Sequence, residues 1–183
     1  MSGNQIEAAR AYERAIFATS SLLGRLRLQY AFVGGIAESA WLGSTVKSGS
    51  VDVVAVVSPE QREMIPRMAA NNGFKVDDEA LEATRELDLV PLSFVDDGVE
   101  IPVYVLFATN ALYGLMIRDA VDTALGGGEL RVVSPEDLAT LLAVDDAEEA
   151  QRKLSKLKIR KGFDIDRFEK RVRSIGLGSR AES

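Results

Sequence analysis

Asp52 lies in the run SGSVDVVAVV, Ser48 to Val57, shortly after a paired glycine in FVGGIAESAWLG. A carboxylate on an apolar strand is a ligand for a hard divalent cation. Two glycines between a strand and a helix allow the backbone to approach a phosphate, and the helix start supplies free N–H groups. Gly34 and Gly35 are therefore candidate phosphate-binding residues, and Asp52 is a candidate metal ligand and catalytic carboxylate. A Gly-Gly pair at such a junction serves an ordinary tight turn equally well. A second carboxylate on the same strand face would stand two residues on, and that position is Val54.

Two absences narrow the chemistry. The chain of 183 residues contains no Cys and no His. That removes disulfides, Cys/His zinc sites, a thiol nucleophile and the Ser-His-Asp arrangement, which needs an imidazole base. Catalysis would rest on carboxylates, Lys, Tyr, Ser or Thr, with Mg²⁺ as the expected metal. The N-terminus is polar, without the apolar segment of a secretory signal, and no apolar run approaches membrane-spanning length, so a cytoplasmic location and no membrane partner are expected.

Charge is uneven. Gln151 to Arg173 holds ten basic and three acidic residues, a net of +7, within a chain whose net charge is −6, so the remainder carries −13. A basic tail on an acidic body suits either an anionic partner such as RNA or self-complementary packing. Only Phe163 and Phe168 interleave with the cations, and their spacing with Ile165 and Val172 suits a helix core.

The elements that would position these residues follow from periodicity. Ile6 to Leu28 reads as a long amphipathic helix, Tyr30 to Val33 as a short buried strand, and Gly34 to Trp41 as a helix ending near Gly43. VDVVAVV reads as a strand buried on both faces. Ser58-Pro59-Glu60-Gln61 carries the capping-box signature of a helix that Asn71-Asn72-Gly73 stops. LDLVPLSFV and VEIPVYVLFA flank Asp96-Asp97-Gly98, a hairpin signal. A helix is expected from about Asn110 to Val121, then a flexible connector at Gly126-Gly127-Gly128 and the strand LRVV. Ser134-Pro135-Glu136-Asp137 heads a further helix, and Asp164 and Gly176 bracket the last. The expected fold is a mixed α/β core of about five strands, residues 1–133, with a C-terminal helical hairpin, residues 134–178, packed on it.

Strand, Gly-Gly, helix, glycine, then an aspartate on an apolar strand resembles the nucleotidyltransferase superfamily that includes DNA polymerase beta and kanamycin nucleotidyltransferase. FVGGIAESAWLGSTVKSGSVDVVAVV, with the later segment ALYGLMIRDAVDTALGGGELRVVSPEDLATLLA, is most similar to AbiEii-type toxins and related bacterial nucleotidyltransferase-like proteins. The resemblance implies Mg²⁺ and a nucleoside triphosphate as cofactors. It places the first metal carboxylate on Asp52, the second on Val54 and the third on Tyr104, with Ser50 matching the family's Thr. Where the family often carries Arg, this chain has Ser48 beside Lys47.

Valine offers no oxygen, and a neutral tyrosine is a poor Mg²⁺ ligand. Three readings follow. The first is a degenerate, catalytically impaired binding or regulatory module, engaging a nucleotide, a protein partner or a second copy of itself. The second is an active, toxin-like Mg²⁺-dependent enzyme on RNA or protein, as in a toxin–antitoxin pair, with a rearranged site: Asp52 with Glu38, Asp88 or Glu100 for metal, Gly34, Gly35 and Ser44 for phosphate, and Lys47 as a charge clamp. The third, compatible with either, is RNA binding through Gln151 to Arg173.

Overall fold

VDVVAV has one residue in six that is not apolar, which suits a strand covered by neighbours on both sides. In the computed structural model, which describes residues 3–43 and 49–176, it is the middle strand of the sheet. In chain order the elements are α1 (Gly3–Arg25), β1 (Gln29–Phe32), α2 (Gly34–Leu42), β2 (Val51–Val56), α3 (Pro59–Ala70), β3 (Phe74–Lys75), α4 (Asp78–Glu86), β4 (Leu89–Asp96), β5 (Val99–Phe107), α5 (Ala111–Arg118), β6 (Val121–Leu125), β7 (Gly128–Val132), α6 (Pro135–Ala143), α7 (Glu148–Lys158) and α8 (Ile165–Ser174). The strands form one mixed sheet ordered β3-β4-β5-β2-β1-β7-β6, with β2 parallel to β5 and β1 parallel to β7. The architecture is the expected mixed α/β fold, with seven strands among the described residues instead of five.

Two expectations need correction. The helix expected to reach Val121 stops at Arg118, and Val121–Leu125 is a strand hairpinned to β7. Gly126 and Gly127, at φ +59° and +80°, make the turn, so the glycine run is a structured hairpin and not a flexible connector. Gly128 lies under α1: a Cβ there would stand 2.4 Å from the Phe17 ring, so only glycine permits that approach. The segment after Lys75 also forms α4, for which Asp77 accepts the Ala80 N–H at 2.8 Å.

Local signals elsewhere translate directly. Ser58 and Gln61 make the reciprocal capping box of α3, and Asp164 accepts the Arg167 N–H at the head of α8. Asp97 and Gly98, at φ +48° and +81°, close the β4–β5 hairpin. Along β5 burial alternates strictly: Ile101, Val103, Val105 and Phe107 are buried, whereas Pro102, Tyr104 and Leu106 are not. One face of this half of the sheet thus packs into the core, and the other carries Asp52 and Tyr104.

Among the described residues, no helix is long and apolar enough to cross a membrane.

Candidate active site

β1 and β2 run antiparallel, so the turn that leaves β1 for α2 returns the chain beside the start of β2. The Val33 N–H donates to the Asp52 carbonyl at 3.0 Å, which ties the two segments together at the turn. Gly34 adopts φ +56°, and a Cβ on it would stand 2.8 Å from Asp52 Oδ2. The glycine is required twice, by its left-handed backbone and by the carboxylate packed against it. Gly35 follows in the first turn of α2, and the N-cap residue Val33 makes no side-chain cap, so the first N–H groups of the helix have no side-chain acceptor from that position.

Asp52 is half-buried. Ser50 Oγ donates to its Oδ2 at 3.2 Å, and Tyr12 Oη from α1 donates to the Ser50 carbonyl at 2.8 Å, fixing the approach to β2. Burial pushes the Asp52 carboxyl above its ordinary value, with the Ser50 hydroxyl opposing the shift. The sequence-expected residues Gly34, Gly35, Ser50 and Asp52 therefore share one place. Ser44 and Lys47 lie outside the described residues.

The register places the other positions. Asp52 pairs directly with Tyr104 on β5, and Tyr104 pairs with Pro91 on β4. The tyrosine is 39% exposed, whereas Val54, opposite Ala31, is 1% exposed. The three substitute carboxylates go elsewhere. Glu38 bonds Lys153 of α7 at 2.9 Å, Asp88 bonds Arg62 at 3.0 Å, and Glu100 faces Lys75 at 3.9 Å. Glu100 also stands four residues from Tyr104, about 13 Å along the strand. Among the described residues, no group of three or more acidic side chains is placed to hold a metal ion. From the described residues, a metal bound here would have one carboxylate and a serine hydroxyl, which does not fit a pair of Mg²⁺ ions.

The basic C-terminal segment is largely engaged with the protein itself. Arg171 is buried and bonds Asp137 at 2.8 Å and Asp119 at 2.7 Å; Arg167 reaches both at 3.3 Å. Lys153 links Glu38 and Glu149, and the Glu38 bond raises its pKa. Arg160 lies over the Trp41 ring and Lys158 over Phe168. Trp41 also donates to the Val133 carbonyl at 2.7 Å, so α2 is held from both the sheet and α7. Self-complementary packing is one of the two readings of the basic tail; which acidic residues it meets is not legible in the sequence, because partner choice among many acidic residues is a tertiary property.

No family model and no curated protein matches the chain. Solved structures do. A crystal structure of an antigenic nucleotidyltransferase-like protein from Paracoccidioides brasiliensis aligns with TM-score 0.53 and 14% identity over 89% of this chain and 86% of that one. The antibiotic-resistance factor ANT(2'')-Ia in solution aligns with TM-score 0.55 and 14% identity over 92% of each chain. Its crystal complex with adenylyl-2''-tobramycin aligns with TM-score 0.54 and 16% identity over 89% of this chain and 95% of that one. The fold is nucleotidyltransferase-like.

Proposed function

We propose that this chain is a nucleotidyltransferase-fold protein whose cleft receives a phosphate-bearing ligand, a nucleotide, without metal-dependent nucleotidyl transfer, and that it acts as a binding or regulatory module. The observation that carries this reading is the register: Asp52 faces Tyr104, and buried Val54 stands two residues along the same strand. The engagement of Glu38, Asp88 and Glu100 with cations elsewhere supports it further. The α2 N-terminus and the left-handed Gly34 keep the form of a phosphate cradle. The likeness to AbiEii-type toxins, and with it a toxin–antitoxin setting, rests on the sequence segments alone.

This reading has an electrostatic consequence. In a metal-dependent cleft, a cation sits between the carboxylates and the phosphates and makes Asp52 an attractive element. Without that cation, Asp52 and a phosphate at Gly34 are two anions at close range and repel. Burial has already made the Asp52 charge costly to hold. Ligand affinity should therefore rise as pH falls through the raised Asp52 pKa.

The test is transfer itself. Purified protein incubated with Mg²⁺ or Mn²⁺, an α-labelled nucleoside triphosphate and RNA, protein or small-molecule acceptors should transfer no label above the Asp52→Asn control. Metal-dependent labelling that Asp52→Asn abolishes would establish the enzyme reading instead.

A further inference from the structure

The open face that carries Asp52 continues across the sheet. Pro91 on β4 pairs with Tyr104, and the next row pairs Pro102 on β5, Ser93 on β4 and Lys75 on β3. These side chains, with Asp77 before α4, bound a cavity of about 290 Å³ with Tyr104 at the end nearest Asp52. Both prolines stand where the ladder is already incomplete. β3 pairs only with Ser93 and Phe94, leaving Pro91 beyond its end, and the β2–β5 pairing begins at Val103, one residue after Pro102. A missing N–H costs no ladder bond at such positions. The result is an apolar surface of two prolines and a tyrosine on the face that carries Asp52.

Tyr104 is 39% exposed, and its phenol makes no hydrogen bond with the described residues. A tyrosine held for the core would be covered, and one held for a polar network would be bonded. What a half-open aromatic ring beside two prolines does well is to take another ring face to face. Polar groups stand at the far rim: the Ser93 hydroxyl, the Lys75 ammonium with Glu100 beside it at 3.9 Å, and the Asp77 carboxylate, which also accepts the Ala80 N–H. Gly34 follows β1, so Tyr104 on β5 lies two interstrand steps away, roughly 10 Å, within the reach from a phosphate to the base of the same nucleotide.

Resting on the phosphate-cradle reading above, we propose that the Tyr104–Pro91–Pro102 surface is a nucleobase subsite. The ring at the family's third carboxylate position then has a use, as the surface on which the ligand's base stacks. The cavity, about 290 Å³, is of a size for a single base.

The experiment is calorimetric titration of the full chain, in EDTA, with ATP and with inorganic tripolyphosphate, which keeps the phosphates and lacks the base. ATP should bind at least tenfold more tightly. Tyr104→Ala should remove that advantage while leaving tripolyphosphate affinity unchanged, and Tyr104→Phe should keep it. Equal affinities in the unaltered protein overturn the base subsite and leave the phosphate reading standing, with no need for any variant to fold. An ATP advantage that survives Tyr104→Ala, in a variant with unchanged circular dichroism, also overturns it. If neither ligand binds, the phosphate reading fails and the base subsite falls with it.

Discussion

Gly34 and Asp52 constrain each other more tightly than either residue type implies. The glycine adopts φ +56°, and the carboxylate oxygen occupies the space that a Cβ would take. Gly34→Ala combines left-handed strain with that collision and should cost about 1–3 kcal/mol, read as a lower midpoint in urea unfolding. An unchanged midpoint would mean that Asp52 does not pack on the turn. Asp52 also makes a prediction about pH. Its folded pKa is raised by burial, so its stabilising contribution is complete below the unfolded value of 3.8 and is lost as pH rises through the folded value. Asp52→Asn should therefore raise the melting temperature relative to the unaltered protein at pH 7 and lose that advantage at acidic pH. A variant less stable at pH 7 than at pH 4, relative to the parent, contradicts the buried-carboxylate account.

At the scale of elements, the sequence was most legible where one short signal decides one boundary. Ser58 with Gln61, Asp164 with its cap bond, and Asp97-Gly98 between alternating strands each act within a few residues, and each stands in the structure as expected. The β6–β7 hairpin was not legible. VDTAL is a half-exposed edge strand without a continuous apolar run, and Asp119 ends α5 without a glycine or proline to mark the stop. The glycines after it looked like slack because the reason for Gly128, the Phe17 ring, lies more than a hundred residues earlier. Gly128→Ala should force that ring or the strand aside and cost roughly 1–3 kcal/mol. Stability unchanged in thermal unfolding would show that α1 does not press on this hairpin. The candidate site divides in the same way. Asp52 and the glycines follow from residue type and order and Ser50 from the family resemblance, but Pro91 and the Lys75 row come together only through the pairing of β3, β4 and β5, and sequence reasoning missed them as members of one surface.

At the scale of the molecule, the charge asymmetry resolves into docking. The carboxylate of Asp137 is fully buried between Ser134, Arg167 and Arg171, and Asp119 shares both arginines; the hydrogen bond from the adjoining Arg118, with Arg167 and Arg171 adding to it, holds the Asp119 carboxyl below the usual range. Asp137→Ala removes the buried acceptor of the Ser134 hydroxyl and of both arginines, which retain Asp119 as a partner, so it should cost about 1–3 kcal/mol. A loss below 1 kcal/mol in chemical denaturation would mean that α8 is not clasped to α6 through this carboxylate. Lys153 of α7 and Arg160 just after that helix hold α2, so the β1–α2 turn is stabilised from outside the sheet. Among the described residues, the candidate cleft presents one carboxylate, a half-exposed tyrosine and a helix N-terminus. The most direct measurement is the affinity for a nucleoside triphosphate of the parent and of Asp52→Asn, titrated side by side at pH 7.5 in Mg²⁺. The account predicts tighter binding by the variant, roughly three- to tenfold, from the relief of one close anionic repulsion in a partly screened site. Weaker binding by Asp52→Asn would show that Asp52 still reaches the ligand through a cation, and would contradict a cleft that works without one.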